Sequence, residues 1–300
     1  MDRSAKTIGI LAALIAGILW GFLGPAVRGC MDIGLTPMQM TCLRYIVVTA
    51  ILLIYVLGFK REALKTTRFQ FILFIIIAVV GVMCNSTLYF ESMLLIPLSM
   101  STVLQYLAPF IVVAVSVPLF REPLDPPKIA AVLMAFIGCI LCTGLISEPG
   151  SMDTWGIIVG AASGFCYACY IICSKRLTRD RCPTTTILFY SSIISVIGLA
   201  PLCDLPSAIG VMASSPSNIL LIIMLGVFLT LAPFWLFNYS LSKIEAGTAS
   251  IITFVEPLVA TLVGFTMYSE GLTAEAAIGM TLILLALITI NRRNEPSGSE

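Results

Sequence analysis

The chain has 300 residues, 59% of them hydrophobic and only 11% charged, with a mean hydropathy of +1.03. A soluble domain is closer to half apolar and a quarter charged, so this composition excludes a water-soluble globular fold and reads as an all-α polytopic membrane protein. The net charge of +1 provides no basic stripe for nucleic acid, and the chain has no histidine, the commonest catalytic base and metal ligand.

Ten apolar stretches follow in order. The first, 8–28, lies in an uncharged run from Thr7 to Val27, about 21 residues, long enough to cross a bilayer and read as a span, with no cleavable signal evident. Trp20 is mid-span there, away from the interfacial aromatic belt, and Gly17, Gly21 and Gly24 line the same helix. The second, 38–58, opens after Pro37 and carries Arg44 about 10 Å below its end. The third, 70–90, places Asn85 and Tyr89 one helical turn apart, with Glu91 at its close. Three readings of Arg44 stay open: an ion pair with Glu91, snorkelling of its long side chain, or a contact for an anionic substrate group. The fourth stretch, 98–119, opens after Pro97 and sets Gln105 and Tyr106 one turn before Pro109; the fifth, 127–146, follows Pro126. The sixth, 154–174, has Gly156, Gly160 and Gly164 spaced for close helix contact, then Tyr167 and Tyr170. The seventh, 184–202, follows Pro183. The eighth, 218–239, follows Ser217 and carries Trp235, Asn238 and Tyr239. The ninth, 247–268, sets Thr253 and Phe254 just before Glu256 and Pro257, and the tenth, 274–291, follows Thr273. Proline, serine and threonine suit these starts because the first helical turn has amides with no partner within the helix.

Most of the ten cysteines lie inside these apolar runs, where they act as small hydrophobes. Cys139 with Cys142 and Cys166 with Cys169 have a metal-like spacing, but the pattern is not a disulfide framework, and no metal or cofactor is called for. With the N-terminus placed in the cytoplasm, the inner segments hold Arg3 and Lys6; Lys60, Arg61, Lys65 and Arg68; Arg121 and Lys128; Lys175, Arg176, Arg179 and Arg181; Lys243; and Arg292 and Arg293. Only Arg28 and Arg44 of the 17 basic residues fall on the outer side, where Asp32, Glu148, Asp153, Asp204, Glu270 and Glu275 collect instead. Basic residues stay inside, so both termini are expected in the cytoplasm.

The second five stretches repeat the first five. Pro109, Glu122 and Leu124 recur 148 positions on as Pro257, Glu270 and Leu272, while Gly17, Trp20 and Arg28 recur at 147 as Gly164, Tyr167 and Lys175. A unit with an odd number of crossings inserts upside down relative to its twin, and inverted repeats build sites that open to either side. The run Ser101 to Phe110 leading to Glu122, its partner Ala249 to Leu258 leading to Glu270, and Trp20-Gly21 in the first span carry a resemblance over almost the full length. The chain resembles the drug/metabolite transporter superfamily in its EamA-like, ten-helix branch. The resemblance implies an inner-membrane carrier that moves small metabolites, often outward, by alternating access, with a central cavity lined by spans 1, 3, 4, 6, 8 and 9.

A charge at a helix centre costs about 2.5–3.5 kcal/mol on insertion scales, so the few deep polar groups are informative. Glu256 is the one deep acid, about 13 Å into its span, and its repeat counterpart is Ala108. It reads as a proton carrier or cation ligand; the plainer alternative is a protonated carboxyl bonded to a neighbouring helix. Pro109 and Pro257 are matched mid-helix breaks, which in transporters point to the site; a simple kink is the alternative. The candidate substrate residues are Trp20, Asn85, Tyr89, Gln105, Tyr106, Tyr167, Trp235, Asn238, Thr253 and Glu256. Glu122 and Glu270 read as caps or hinges ahead of the following helix. The expected protein is a transporter of two repeats, 1–150 and 151–300, with a small-molecule substrate, a lipid bilayer around it and protons as a candidate coupling ion. A proton-coupled exporter of cationic drugs and a non-transporting membrane scaffold are the rival readings.

Overall fold

The computed structural model describes residues 3–96, 98–145, 153–268 and 273–293, and among them every regular element is helical. Ten helical segments carry the fold: α1 (Ser4–Asp32), α2 (Pro37–Phe59), α3 (Arg68–Leu95), α4 (Met100–Phe120), α5 (Pro126–Cys142), α6 (Thr154–Arg179), α7 (Thr184–Leu199), α8 (Pro216–Lys243), α9 (Ala246–Met267) and α10 (Ala274–Arg293). Eight are long and apolar enough to cross a membrane; α5 and α7 are apolar but shorter. At 1.5 Å per residue the 17 residues of α5 and 16 of α7 reach about 25 Å, against a hydrocarbon core of about 30 Å. Both end before the apolar run does. Gly144 takes a left-handed φ of 67° after α5, the usual helix stop, and the chain turns at Pro201 after α7. A short helix, Leu205–Ala213, precedes α8.

Local sequence explains the starts. Thr36 and Thr67 each form a capping box, with Gln39 and Gln70 respectively, while Asp125, Asp153 and Ser215 accept an amide of the following turn. Pro37, Pro126 and Pro216 occupy the first turn, where a missing N–H costs nothing. Pro97, the proposed start of the fourth stretch, lies outside the described residues. Two π-helical turns, Ile77–Cys84 in α3 and Val227–Leu231 in α8, fall at corresponding positions of the two halves. In α8 Pro233 follows directly, and its ring excludes the normal bond to the carbonyl four residues back.

Helix packing is interleaved between the halves. α1 lies mainly on α8 and α9, and α6 lies mainly on α3 and α4. α2 packs on α7 and α8, α7 on α2 and α3, α5 on α10, and α4 on α9. Exchanging each helix of the first five for its counterpart in the last five leaves this set of pairs unchanged. α5 and α10 run antiparallel: Arg293 at the end of α10 bonds Asp125 at the start of α5 at 2.6 Å, and Cys142 at the end of α5 meets the Ala276 carbonyl at the start of α10 at 3.7 Å. The exterior is apolar; Ile54, Phe59, Leu94 and Ile197 expose most of their surface, as a bilayer-facing wall does. Interior serines return their hydroxyls to their own helix, as Ser191 does to the Ile187 carbonyl and Ser195 to that of Ser191, both at 2.7 Å.

Candidate functional site

The site is built where two helices break. The α-helical path of α4 stops at Gln105 and resumes at Ala108; that of α9 stops at Ile252 and resumes at Val255. Pro109 and Pro257 cause this, because a proline has no N–H for the carbonyl four residues earlier. The carbonyls so released are those of Gln105 and Thr253. The Thr253 carbonyl takes the Glu256 amide at 2.9 Å and the Tyr106 hydroxyl at 3.4 Å. Tyr106 thus reaches from one break to the other, and its ring stacks on Phe254, centroids 4.7 Å apart. Tyr106 and Phe254 are repeat counterparts, so the two breaks meet at equivalent residues. Gly17 and Gly164, also counterparts, let the neighbouring helices come against these breaks. A Cβ on Gly164 would lie 2.7 Å from the Leu104 carbonyl oxygen, and one on Gly17 would lie 3.4 Å from the Thr253 Cα and 2.4 Å from the Val255 side chain.

The Glu256 carboxyl lies close to the Tyr106 hydroxyl, with Tyr89, Tyr167 and Cys139 also near it. Among the described residues no Lys or Arg forms an ion pair with it. Beside this cluster, Gln105 donates to Asn85 at 3.2 Å and Tyr89 shares a hydrogen bond with Thr102 at 3.1 Å, tying α3 to α4. Of the expected residues, Tyr89, Tyr106 and Tyr167 lie near Glu256, while Asn85 and Gln105 pair with each other between α3 and α4. Asn238 sits in a neighbouring layer, fully buried, bonded to the Tyr170 hydroxyl and the Phe234 carbonyl. Trp20 packs edge-on against Phe234 at 5.2 Å and beside Phe237 at 5.6 Å, holding α1 to α8.

Four expectations need correction. Thr253 contributes its carbonyl and not its side chain, whose hydroxyl returns to the Ser250 carbonyl at 2.7 Å. Trp235 is 41% exposed and stacks on Tyr239; roughly 100° per residue puts it opposite the buried Phe237, facing outward from the bundle. Arg44 and Glu91 do not pair. Glu91 accepts the Trp155 indole N–H at 2.9 Å, while Arg44 lies over the Tyr45 ring with its Nε buried and unbonded. Glu122 is a cap, but of α9 and not of the helix that follows it: its carboxylate accepts the amides of Ala246 at 2.6 Å and Gly247 at 3.1 Å. Its counterpart Glu270 lies outside the described residues.

One constellation was not anticipated. Lys128, fully buried, bridges Glu122 at 3.2 Å and Glu245 at 3.1 Å, and Arg293 binds Glu245 at 2.7 Å as well as Asp125. These charges join α4 and α5 of the first half to α9 and α10 of the second. Burial pushes the Glu245 carboxyl up, but the hydrogen bond and charge of Arg293 and those of Lys128 outweigh it and hold it below its ordinary 4.5. Asp125 is likewise held below 3.8, the upward push of its partial burial being outweighed by Arg293 first and the Lys128 amide next. The sequence signal available was the offset: Lys128 and Glu245 correspond to Ala276 and Pro97, so this charge set is not part of the repeated pattern. Separately, a crevice of about 580 Å³ runs between α1 and α8, walled by Phe22, Leu220, Met224 and Phe228, with Ser217 its one polar lining residue.

The chain belongs to the EamA-like transporter family, whose pattern it matches over residues 7–144 and again over 154–292. It is similar to two proteins of Archaeoglobus fulgidus, each described as an uncharacterized transporter. One is 27% identical over 277 residues, covering 91% of this chain and 95% of the relative. The other is 33% identical over 190 residues, covering 63% and 66%. A solved crystal structure of a protein superimposes on 99% of this chain and 100% of its own with a TM-score of 0.77; at 21% identity that likeness is one of fold.

Proposed function

We propose that this chain moves a small polar or amphipathic metabolite, amino-acid-like in class, across the cytoplasmic membrane by alternating access and in the direction of export. It does so with ten crossings arranged as two inverted five-helix repeats, 1–150 and 151–300, and with both termini in the cytoplasm. The observation that carries the reading is the meeting of the two breaks: Tyr106 of α4 bonds the released Thr253 carbonyl of α9, with Glu256 in the same cluster. Broken helices at corresponding positions of two halves are where secondary transporters hold a solute, near the midplane. Inversion is supported by the antiparallel run of α5 against its counterpart α10, and the orientation by the basic residues. α5 and α7, short as helices, complete their crossings with the turns that follow them.

Glu256 supplies the charge chemistry. Among the described residues no Lys or Arg pairs with it, which leaves a proton or a substrate cation as the charge that compensates it. That lack of a partner also favours a second reading, proton-coupled export of cationic drugs. The test is initial transport rate against pH in liposomes, with a panel of metabolites and organic cations, for wild type and Glu256→Gln at equal abundance. The expected result is loss of pH dependence, or of transport outright for cations; superimposable curves return Glu256 to a structural role. Orientation is read separately from reporter fusions at Arg179, expected inside, and Pro206, expected outside.

A further inference from the structure

Cys42 and Cys203 use none of the chemistry described above, yet they meet. Cys42 lies in the second turn of α2, in the first half of the chain; Cys203 lies in the turn after α7, in the second half. Both are buried in one small cluster with Leu199, flanked by Met38 and Met83, and the Cys203 thiol donates to the Ala200 carbonyl of its own turn at 3.8 Å. The backbone holds them in register. Asp204, next to Cys203, takes a left-handed φ of 46° that ends the turn, and its carbonyl accepts the Gln39 side-chain amide at 3.5 Å, one turn before Cys42. Cys142 also reaches across the halves, but to the Ala276 carbonyl and not to a thiol.

We propose that Cys42 and Cys203 form a redox-sensitive dithiol that closes to a disulfide and staples the two halves together at the outer face. The placement rests on the orientation given under Proposed function, which puts the start of α2 and the turn after α7 on the outer, oxidising side of the membrane. The oxidant is an external disulfide, small or protein-borne. Of the two, Cys203 is the entry thiol: it is 5% exposed and lies in the turn after α7, whereas Cys42 is fully buried within α2. Its thiolate attacks one sulfur of the external disulfide and expels the other as a thiol. The Cys42 thiolate then attacks the mixed disulfide and expels the second thiol. The chain loses two electrons and two protons, and one external disulfide becomes two thiols. Covalent closure across a long chain segment restricts the unfolded ensemble more than the folded one, so the oxidised form melts higher.

The experiment counts thiols on the full-length protein. In detergent, copper–phenanthroline treatment followed by denaturation and maleimide–polyethylene glycol labelling is expected to lower the ten reactive thiols to eight, and reductant to restore them. Cys42→Ser and Cys203→Ser should each keep all their remaining thiols, whereas Cys30→Ser should still lose two. Oxidised wild type should melt higher than reduced, with no such difference in either of the first two variants. Ten reactive thiols after oxidation, or a loss that persists in Cys203→Ser, overturns the pairing. A second arm traps thiols in membranes from air-grown cells. The same two thiols missing supports the modification in place; a fully reduced pair there overturns it. The Pro206 reporter reads the orientation independently, so an inside signal sinks that reading while the detergent count still judges the geometry.

Discussion

Replacing Lys128 by methionine tests the charged junction between the halves. The ammonium is fully buried, and the carboxylate side chains it bridges are 5% exposed for Glu122 and 28% exposed for Glu245. Removing one member of a buried ion pair costs about 3–5 kcal/mol, because the partner charge is left in a poor solvent. Here the partners keep something. Glu122 retains the Ala246 and Gly247 amides, and Glu245 retains Arg293, so the lower end, about 3 kcal/mol, applies. That corresponds to a fall in melting temperature of about 5 °C for a chain of 300 residues. Methionine matches the unbranched stem, so packing changes little. Arginine is not a substitute, since even a Cβ on Gly247 would lie 2.7 Å from Lys128 Cε. Thermal unfolding in detergent followed by tryptophan fluorescence reads the effect. A single variant melting within a degree of wild type would refute the assignment of Lys128 as the counter-charge.

Three further outcomes are expected. Gly164→Ala should lower the melting temperature clearly, since its Cβ meets a backbone carbonyl, while Gly24→Ala, which has nothing within 4 Å, should be neutral or slightly stabilising; equal effects would remove the close-approach argument. Tyr106→Phe should cost about 1 kcal/mol for the lost hydrogen bond at the break, seen as a small drop in the same unfolding assay, and no change would mean that the Thr253 carbonyl finds another donor. Asp125 and Glu245 have carboxyls depressed by folding, so their contribution is present above their unfolded pKa values of 3.8 and 4.5 and is lost as pH falls through the lower folded values. Stability should therefore decline below about pH 4 and decline less steeply in Glu245→Gln, and parallel acid profiles for the two proteins would contradict this.

The breaks in α4 and α9 were legible because a proline acts locally: its missing N–H releases one identifiable carbonyl, whatever the tertiary context. The place of Glu256 at the α9 break followed from its position directly before Pro257. The partners of charged residues were not legible, for the opposite reason. Glu122 caps a helix 124 residues further along the chain, and Lys128 near a helix start carries the same sequence signal whether it faces water or, as here, two carboxylates. Rotation about a helix axis was the other gap. Trp235, Phe237 and Asn238 share one turn of α8, and the apolar lipid and the apolar interior attract the same side chains, so hydropathy could not say which of them faces inward. The thiol of Cys42 likewise looked like one more small hydrophobe until the turn at Cys203 came beside it.

The exchange of helix partners between the halves bears on how the protein is made. α1 finds its main neighbours in α8 and α9, which leave the ribosome after most of the chain has been synthesised. Through that interval the first helices sit in the bilayer with their inward faces unsatisfied, held by lipid or by the insertion machinery. Assembly of the bundle must therefore be a late, concerted docking of two incomplete halves and cannot be the sequential completion of two finished ones. Two separately encoded fragments, 1–150 and 151–300, should accordingly assemble when made together in the same membrane and be degraded when either is made alone.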